Sequence, residues 1–215
     1  MQVSDIVLNT SYDELNTGDI ILCHGYNPKG LDPGIDGVIE FFTHSPWEHA
    51  AMIIRDPWWT KLPKGLYIYQ SGSGPNGYKD VLNGKRCGVT LNHFDDFMAN
   101  RQHIYVRQIC GIEWTDNVKK SFVNFFNESH GKPYDTNCCS WLLAGIDSFF
   151  RCKCCKCGVP KTDKTFWCSA LVAFMYTKMC WIDKDTDWSP LTPEDLAVIN
   201  VSKPYLLGDI KLIKK

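Results

Sequence analysis

Two side chains remote from each other along the chain, His49 and Cys168, carry the chemistry this sequence offers. Cys168 opens a helix-like run (Cys-Ser-Ala-Leu-Val-Ala-Phe-Met-Tyr), and His49 opens a strand-like run (His-Ala-Ala-Met-Ile-Ile). A thiol in a first helical turn feels the positive end of the helix dipole, and a nearby imidazole takes its proton, so the pair describes an activated thiolate. Such a thiolate attacks an amide or ester carbonyl to give a thioester, which water or another acceptor resolves while the histidine shuttles the proton.

The opposing reading of each residue is structural. Free cysteine is among the most buried residue types and in a helix usually serves as a small hydrophobe. Two neighbours count toward function. Thr165 stands where an N-cap belongs, and Leu171, Phe174 and Met175 form a stripe that would turn the first helical turn, its sulfur and its backbone N–H groups toward substrate. His49 is one of six histidines, and spacing alone does not pair it with Cys168. Gln70, closing the next strand-like run, is placed to fix the far imidazole nitrogen, and reads equally well as a polar strand end.

The elements that must position these residues follow from periodicity. Residues 20–23 read as a strand after the turn Asn16-Thr17-Gly18-Asp19, residues 27–37 as loop, and 38–43 as one or two helical turns. From His49 a half-buried strand sets Ala50, Met52 and Ile54 on one side and His49, Ala51 and Ile53 on the other. Residues 66–70 and 104–109 are further strands, giving three or four in all, antiparallel, with a short amphipathic helix at 91–98 between them. Thr115 caps a helix whose stripe is Val118, Phe122, Phe125 and Phe126 and whose stop is Gly131; Asn137 caps another through Phe149. Thr192-Pro193-Glu194-Asp195 starts a last helix, and residues 210–213 alternate as if returning to the sheet. Strands and helices without regular alternation predict an α+β fold.

Bulk composition narrows the partners. The 215 residues contain no linker-like stretch and read as one domain, 1–215, with 44% hydrophobic residues to build a core. Lys plus Arg number 23 against 24 Asp plus Glu, so no basic field draws in nucleic acid. The first residues lack a signal-peptide pattern, and no apolar stretch approaches the roughly 20 residues of a membrane span. A cytoplasmic or virion setting, without secretion, is the expectation. Eleven cysteines without a signal peptide argue for reduced thiols over a disulfide framework.

Taken in order, Thr17-Gly18-Asp19-Ile20-Ile21-Leu22, the run 39–53 ending in Trp47-Glu48-His49-Ala50-Ala51-Met52-Ile53, Tyr67-Ile68-Tyr69-Gln70, Gly131-Lys132-Pro133-Tyr134-Asp135, Phe166-Trp167-Cys168-Ser169-Ala170-Leu171-Val172 and Ser189-Pro190-Leu191-Thr192-Pro193-Glu194-Asp195-Leu196 resemble the circularly permuted branch of the NlpC/P60 papain-like superfamily. This branch includes bacterial YiiX/YaeF-like proteins and poxvirus-type members, with lecithin:retinol acyltransferase a more distant relative. The resemblance spans nearly the whole chain, and its specificity lies in the order of the motifs. It implies a papain-like antiparallel sheet packed against helices, Cys168 as nucleophile, His49 as general base and Gln70 as the third polar residue. Tyr134 and Glu48 would line the substrate cleft, and no cofactor is implied. It further implies a hydrolase (amidase or peptidase) or acyltransferase acting on small amide or ester substrates, lipid-linked or carrying an amino acid. Two departures stand out: Glu48 where serine is frequent before the histidine, and Gln70 where an acid is common. A neutral amide orients an imidazole without stabilising its cation, unless Glu48 supplies the field from the other side.

Outside that pattern lies a cysteine-rich insertion at about 138–160, including Cys138, Cys139, Cys152, Cys154, Cys155 and Cys157. Thiolates this close to one another suit Zn²⁺ together with Cys138 or Cys139, as in a zinc-binding interaction module, but the Cys-x-Cys-Cys-x-Cys rhythm is not that of paired zinc knuckles, so no metal is assigned. Thiols interleaved with lysines beside Trp141, Phe149 and Phe150 also fit S-acylation and peripheral lipid contact, and a solvated loop of reduced thiols is the plainest reading. The rival to an enzyme is a non-catalytic protein, such as a virion component, that keeps the cleft to bind lipid or a protein partner.

Overall fold

The structure, a computed structural model, describes residues 10–24, 46–72, 78–135 and 163–214. The expected turn and strand around residue 20 form β1 (Ile20–His24), and β2 (Trp47–Arg55) starts two residues before His49. Next come β3 (Leu66–Gly72), β4 (Gly88–His93) and the helix α1 (Phe94–Asn100). Then follow β5 (Ile104–Arg107), β6 (Ile109–Cys110) and α2 (Asp116–Ser129). The chain closes with α3 (Cys168–Lys178), α4 (Pro193–Val198), β7 (Leu206–Leu207) and β8 (Lys211–Lys214).

The strands make a six-stranded antiparallel sheet in the order β4-β3-β2-β1-β5-β8, with β6 and β7 paired separately. The fold is α+β, as the mixed pattern predicts. Two expectations change. Residues 91–93 belong to β4, because Val89 and Leu91 enter one core while Thr90 and Asn92 are buried on the other side, a period of two that pairs with β3. Helix α1 keeps only Phe94, Phe97 and Met98 of the proposed stripe. The run 104–109 is broken at Gln108, whose carbonyl accepts from Gly208, so Ile109 passes to the small sheet. The expected helices at 38–43 and from Asn137, and the insertion at 138–160, lie outside the described residues.

The pleat of β2 sorts as its sequence requires, yet the strand is buried on both faces. Ala50, Met52 and Ile54 join the larger core with Leu171, Phe174 and Met175 of α3. Ala51 and Ile53 join a second core with Phe94, Phe97 and Met98 of α1. Helix α2 is capped by Thr115, whose hydroxyl accepts from the Val118 N–H, and lays Phe122 and Phe126 into the larger core. Such a cap stabilises by about 1 kcal/mol. Helix α4 carries a full capping box between Thr192 and Asp195 with Pro193 in its first turn.

The edge of β4 is closed by polar partners. The Val89 N–H donates to the Lys132 carbonyl (2.8 Å) and the Gly131 N–H to the Val89 carbonyl (2.9 Å). The Leu91 N–H donates to Asp80 (3.0 Å), whose carboxylate also meets His130 at 2.7 Å. Gly88, at φ +94°, permits this approach: a Cβ there would collide with the Lys132 carbonyl. An edge satisfied in this way offers few free amides to another chain.

Candidate functional site

The site gathers at one end of the sheet, where β1 and β3 finish and β2 and β4 begin. Cys23 is the cross-strand partner of His49, and β3 ends one residue after Ser71. The Ser71 hydroxyl donates to the Phe166 carbonyl at 2.6 Å. On its other side Phe166 bridges Tyr134: its N–H donates to the Pro133 carbonyl (3.1 Å), and its carbonyl accepts from Asp135 (3.2 Å). Phe166 is thus pinned between β3 and the Gly131–Asp135 segment, which in turn pairs with β4. Two residues later the chain enters α3, and Cys168 is its first residue.

His49 and Gln70 meet directly. His49 Nε2 lies 2.7 Å from Gln70 Oε1, and Gln70 Nε2 donates to Asn92 Oδ1 at 2.8 Å, where the Thr90 hydroxyl also donates at 3.0 Å. All four side chains are buried. An amide oxygen only accepts, so the ring nitrogen facing it must carry the proton. The row of hydrogen bonds therefore sets the tautomer: Nε2 is protonated and Nδ1 keeps the lone pair of a proton acceptor. Asn92, on a run whose sequence resembled a helix, is the residue that orients Gln70; its alternation with Thr90 was the signal for it.

Burial holds the His49 imidazole well below the usual histidine range, the Arg101 guanidinium adds to that depression, and the bond to Gln70 opposes it. His49 is neutral at neutral pH. Cys23 is pushed up to about 11, chiefly by burial, with Arg101 opposing and a charge on Cys168 or Glu48 adding to the rise. The Cys168 sulfur is therefore within electrostatic reach of the residue directly across from His49.

Cys168 sits differently from the expectation in two respects. The N-cap is Trp167, which makes no side-chain cap, so Thr165 does not hold that position. Nor does the first turn face outward: Cys168, Ser169 and Ala170 are 5%, 2% and 3% exposed, and α3 is buried from Cys168 to Thr177 because apolar residues surround it. The thiol and the imidazole also come to the sheet end from different layers. Helix α3 packs on β2 and β3 through the larger core, whereas the His49 ring lies 6.2 Å from Phe97 on the α1 side.

The remaining sequence candidates fall around this frame. Tyr134 is buried in the larger core and holds Phe166 by its backbone bridge. Glu48 precedes His49, half-buried, and acts electrostatically on Cys23. Cys23 and Arg101 were not singled out by the sequence, because strand pairing and the turn after α1 bring them in. Among the described residues, Cys23, Cys87, Cys110, Cys168 and Cys180 are free thiols, and no cluster of three or more metal-ligating side chains is present. No helix of the described residues is long and apolar enough to cross a membrane. No protein-family model matches the chain, and no curated protein matches it.

Proposed function

We propose that this protein is a papain-like cysteine hydrolase or acyltransferase of the permuted NlpC/P60 kind, acting on an amide or ester through Cys168 and His49. The observation that carries the reading is the buried bond from His49 Nε2–H to Gln70, which leaves Nδ1 as a base of fixed orientation. A neutral amide in the orienting place is the arrangement of papain-like cysteine–histidine–asparagine sites, so Gln70 is compatible with turnover. Because burial keeps the imidazole uncharged, the resting pair is thiol and neutral imidazole. The proton passes from sulfur to Nδ1 as sulfur attacks the carbonyl carbon, and then to the leaving amine or alcohol as the thioester forms. Water or a second acceptor, deprotonated by the same nitrogen, releases the acyl group. The substrate class is a small acyl compound, and no cofactor takes part.

The test is acylation by 4-nitrophenyl acetate, with mass spectrometry of the digested protein. The reading expects an acetyl group on the Cys168 peptide, lost in Cys168→Ser and in His49→Ala. Iodoacetamide gives a second arm. An ordinary thiol at 5% exposure should label more slowly than the exposed Cys87, Cys110 and Cys180. Faster labelling of Cys168 that disappears in His49→Ala supports an activated sulfur, and slowest labelling overturns it.

The burial of Cys168 and His49 favours one alternative, a non-catalytic protein that keeps the framework to bind a lipid or a protein partner. That alternative expects intact folding and no acyl adduct with the ester.

A further inference from the structure

The face of β3 that carries Gln70 ends on a residue with no side chain. Strands β2 and β3 pair from Arg55↔Leu66 to Met52↔Tyr69, and that register, carried three residues further, sets Gly72 across from His49. Along β3, Ile68 enters the core on the α1 side, Gln70 bonds to His49 on that side, and alternation brings Gly72 to the same face. The His49 ring reaches diagonally to Gln70, not straight across to Gly72. Among the described residues, no atom beyond the chain neighbours lies within 4 Å of where a Cβ on Gly72 would stand. Its cross-strand partner Gly88 is glycine for a positive φ and the close Lys132 carbonyl, but neither reason applies at Gly72. His49 supplies a second observation. It is 8% exposed, its Nε2 is committed to Gln70, and among the described residues no hydrogen bond reaches Nδ1. A buried acceptor without a donor is costly until a partner brings one.

We propose that the space over Gly72, beside His49, is the subsite for the substrate's leaving group and for the acceptor that replaces it. The inference rests on the reading of His49 as the base. In the first half of acyl transfer the C–S bond forms and the C–N or C–O bond breaks, and the thiol proton passes through Nδ1 to the leaving nitrogen or oxygen. In the second half the acceptor bonds the acyl carbon, gives its proton to Nδ1, and the departing sulfur recovers it. Both groups therefore come within hydrogen-bond reach of the imidazole. The missing side chain at residue 72 leaves room for a carbon substituent on them, which water alone would not need. The substrate class is thus a substituted amide or ester, and amines or alcohols larger than water serve as acceptors.

The experiment compares the full-length protein with Gly72→Ala and Gly72→Val, each checked for folding by its urea midpoint. Acetyl-enzyme made from 4-nitrophenyl acetate is partitioned at alkaline pH between water and added benzylamine or methylamine. The amide-to-acetate ratio is read above the Cys168→Ser background, so it does not depend on the acylation rate. Gly72→Val should lower the benzylamine ratio about tenfold or more and leave the methylamine ratio near wild type, with Gly72→Ala in between. Equal losses for both amines, unchanged ratios, or no capture of benzylamine by the wild type overturn the proposal. A second arm needs no turnover. N-benzylacetamide is titrated against wild type and Gly72→Val while the His49 imidazole resonances, assigned by their loss in His49→Gln, are followed by NMR. Shifts in the wild type that weaken in Gly72→Val are expected, and their absence in the wild type overturns the proposal. A protein that forms no acetyl-enzyme yet shows this binding would sink the enzymatic reading and leave the subsite standing.

Discussion

The two faces of the sheet do different work with the same strands. Toward α3, Ala50, Met52, Tyr69 and Leu91 meet Leu171, Phe174 and Met175 in a large apolar core. Toward α1, the apolar cluster, which includes Cys23, is smaller and gives way at one end to a buried polar row, His49, Gln70, Thr90 and Asn92. Burying polar groups stabilises little even when every bond is made, whereas the apolar face gains with each methylene. The first face holds the fold, and the second fixes one ring nitrogen. Substitutions on the two faces should therefore separate stability from chemistry.

The largest effect is expected on the apolar face. Phe174 is fully buried between Phe166 and Trp188, and Phe174→Ala should cost about 3–5 kcal/mol in denaturant unfolding. A loss below 1 kcal/mol would contradict the division. Gly88→Ala comes next, since it forces an unfavourable φ and a collision with the Lys132 carbonyl, roughly 1–3 kcal/mol of strain alone. The same change should loosen the segment that pins Phe166, so that Cys168 is less precisely placed and hydrogen exchange rises at Val89 and Gly131.

On the polar face, Gln70→Leu leaves the His49 Nε2–H without its partner and takes from Asn92 Oδ1 one of its two donors, the Thr90 hydroxyl remaining, at about 1–3 kcal/mol. If the proposed base role holds, acylation should fall by about a hundredfold or more, because the imidazole loses its tautomer and orientation. Gln70→Glu sharpens the point: it keeps an acceptor and should raise the His49 midpoint.

The smallest effects are in the pH dependence, where the two kinds of buried group have opposite signs. His49 has a folded pKa below its unfolded value, so its contribution is complete above 6.5 and is lost as pH falls from there through the folded value. Asp19 is raised to about 6 by burial, so its contribution is complete below 3.8 and is lost as pH rises through about 6. His49→Gln should remove the acid-side loss, and Asp19→Asn the opposing slope, both read from urea midpoints between these limits.

What was legible in the sequence follows from local rules. Val118, Phe122 and Phe126 with Thr115 announced α2, Thr192-Pro193 announced α4, and the alternation from Ala50 to Ile54 gave the two faces of β2. Cys168 at the head of a helix and Gln70 beside His49 were also readable, the second because neighbouring antiparallel strands put such residues within reach. The run around Leu91 misled, since a few apolar residues fit both periods until a partner strand selects one.

Local sequence alone determined the tautomer-setting residue types, the helix caps and the alternation of the strands, because these depend on neighbours a few bonds away. Only the tertiary structure decided that α3 is buried on every side, that Asn92 stands behind Gln70, and that Arg101 and Cys23 share the surroundings of His49. Burial and long-range register depend on which surfaces the whole chain brings together, and the charge on a buried imidazole follows from that assembly.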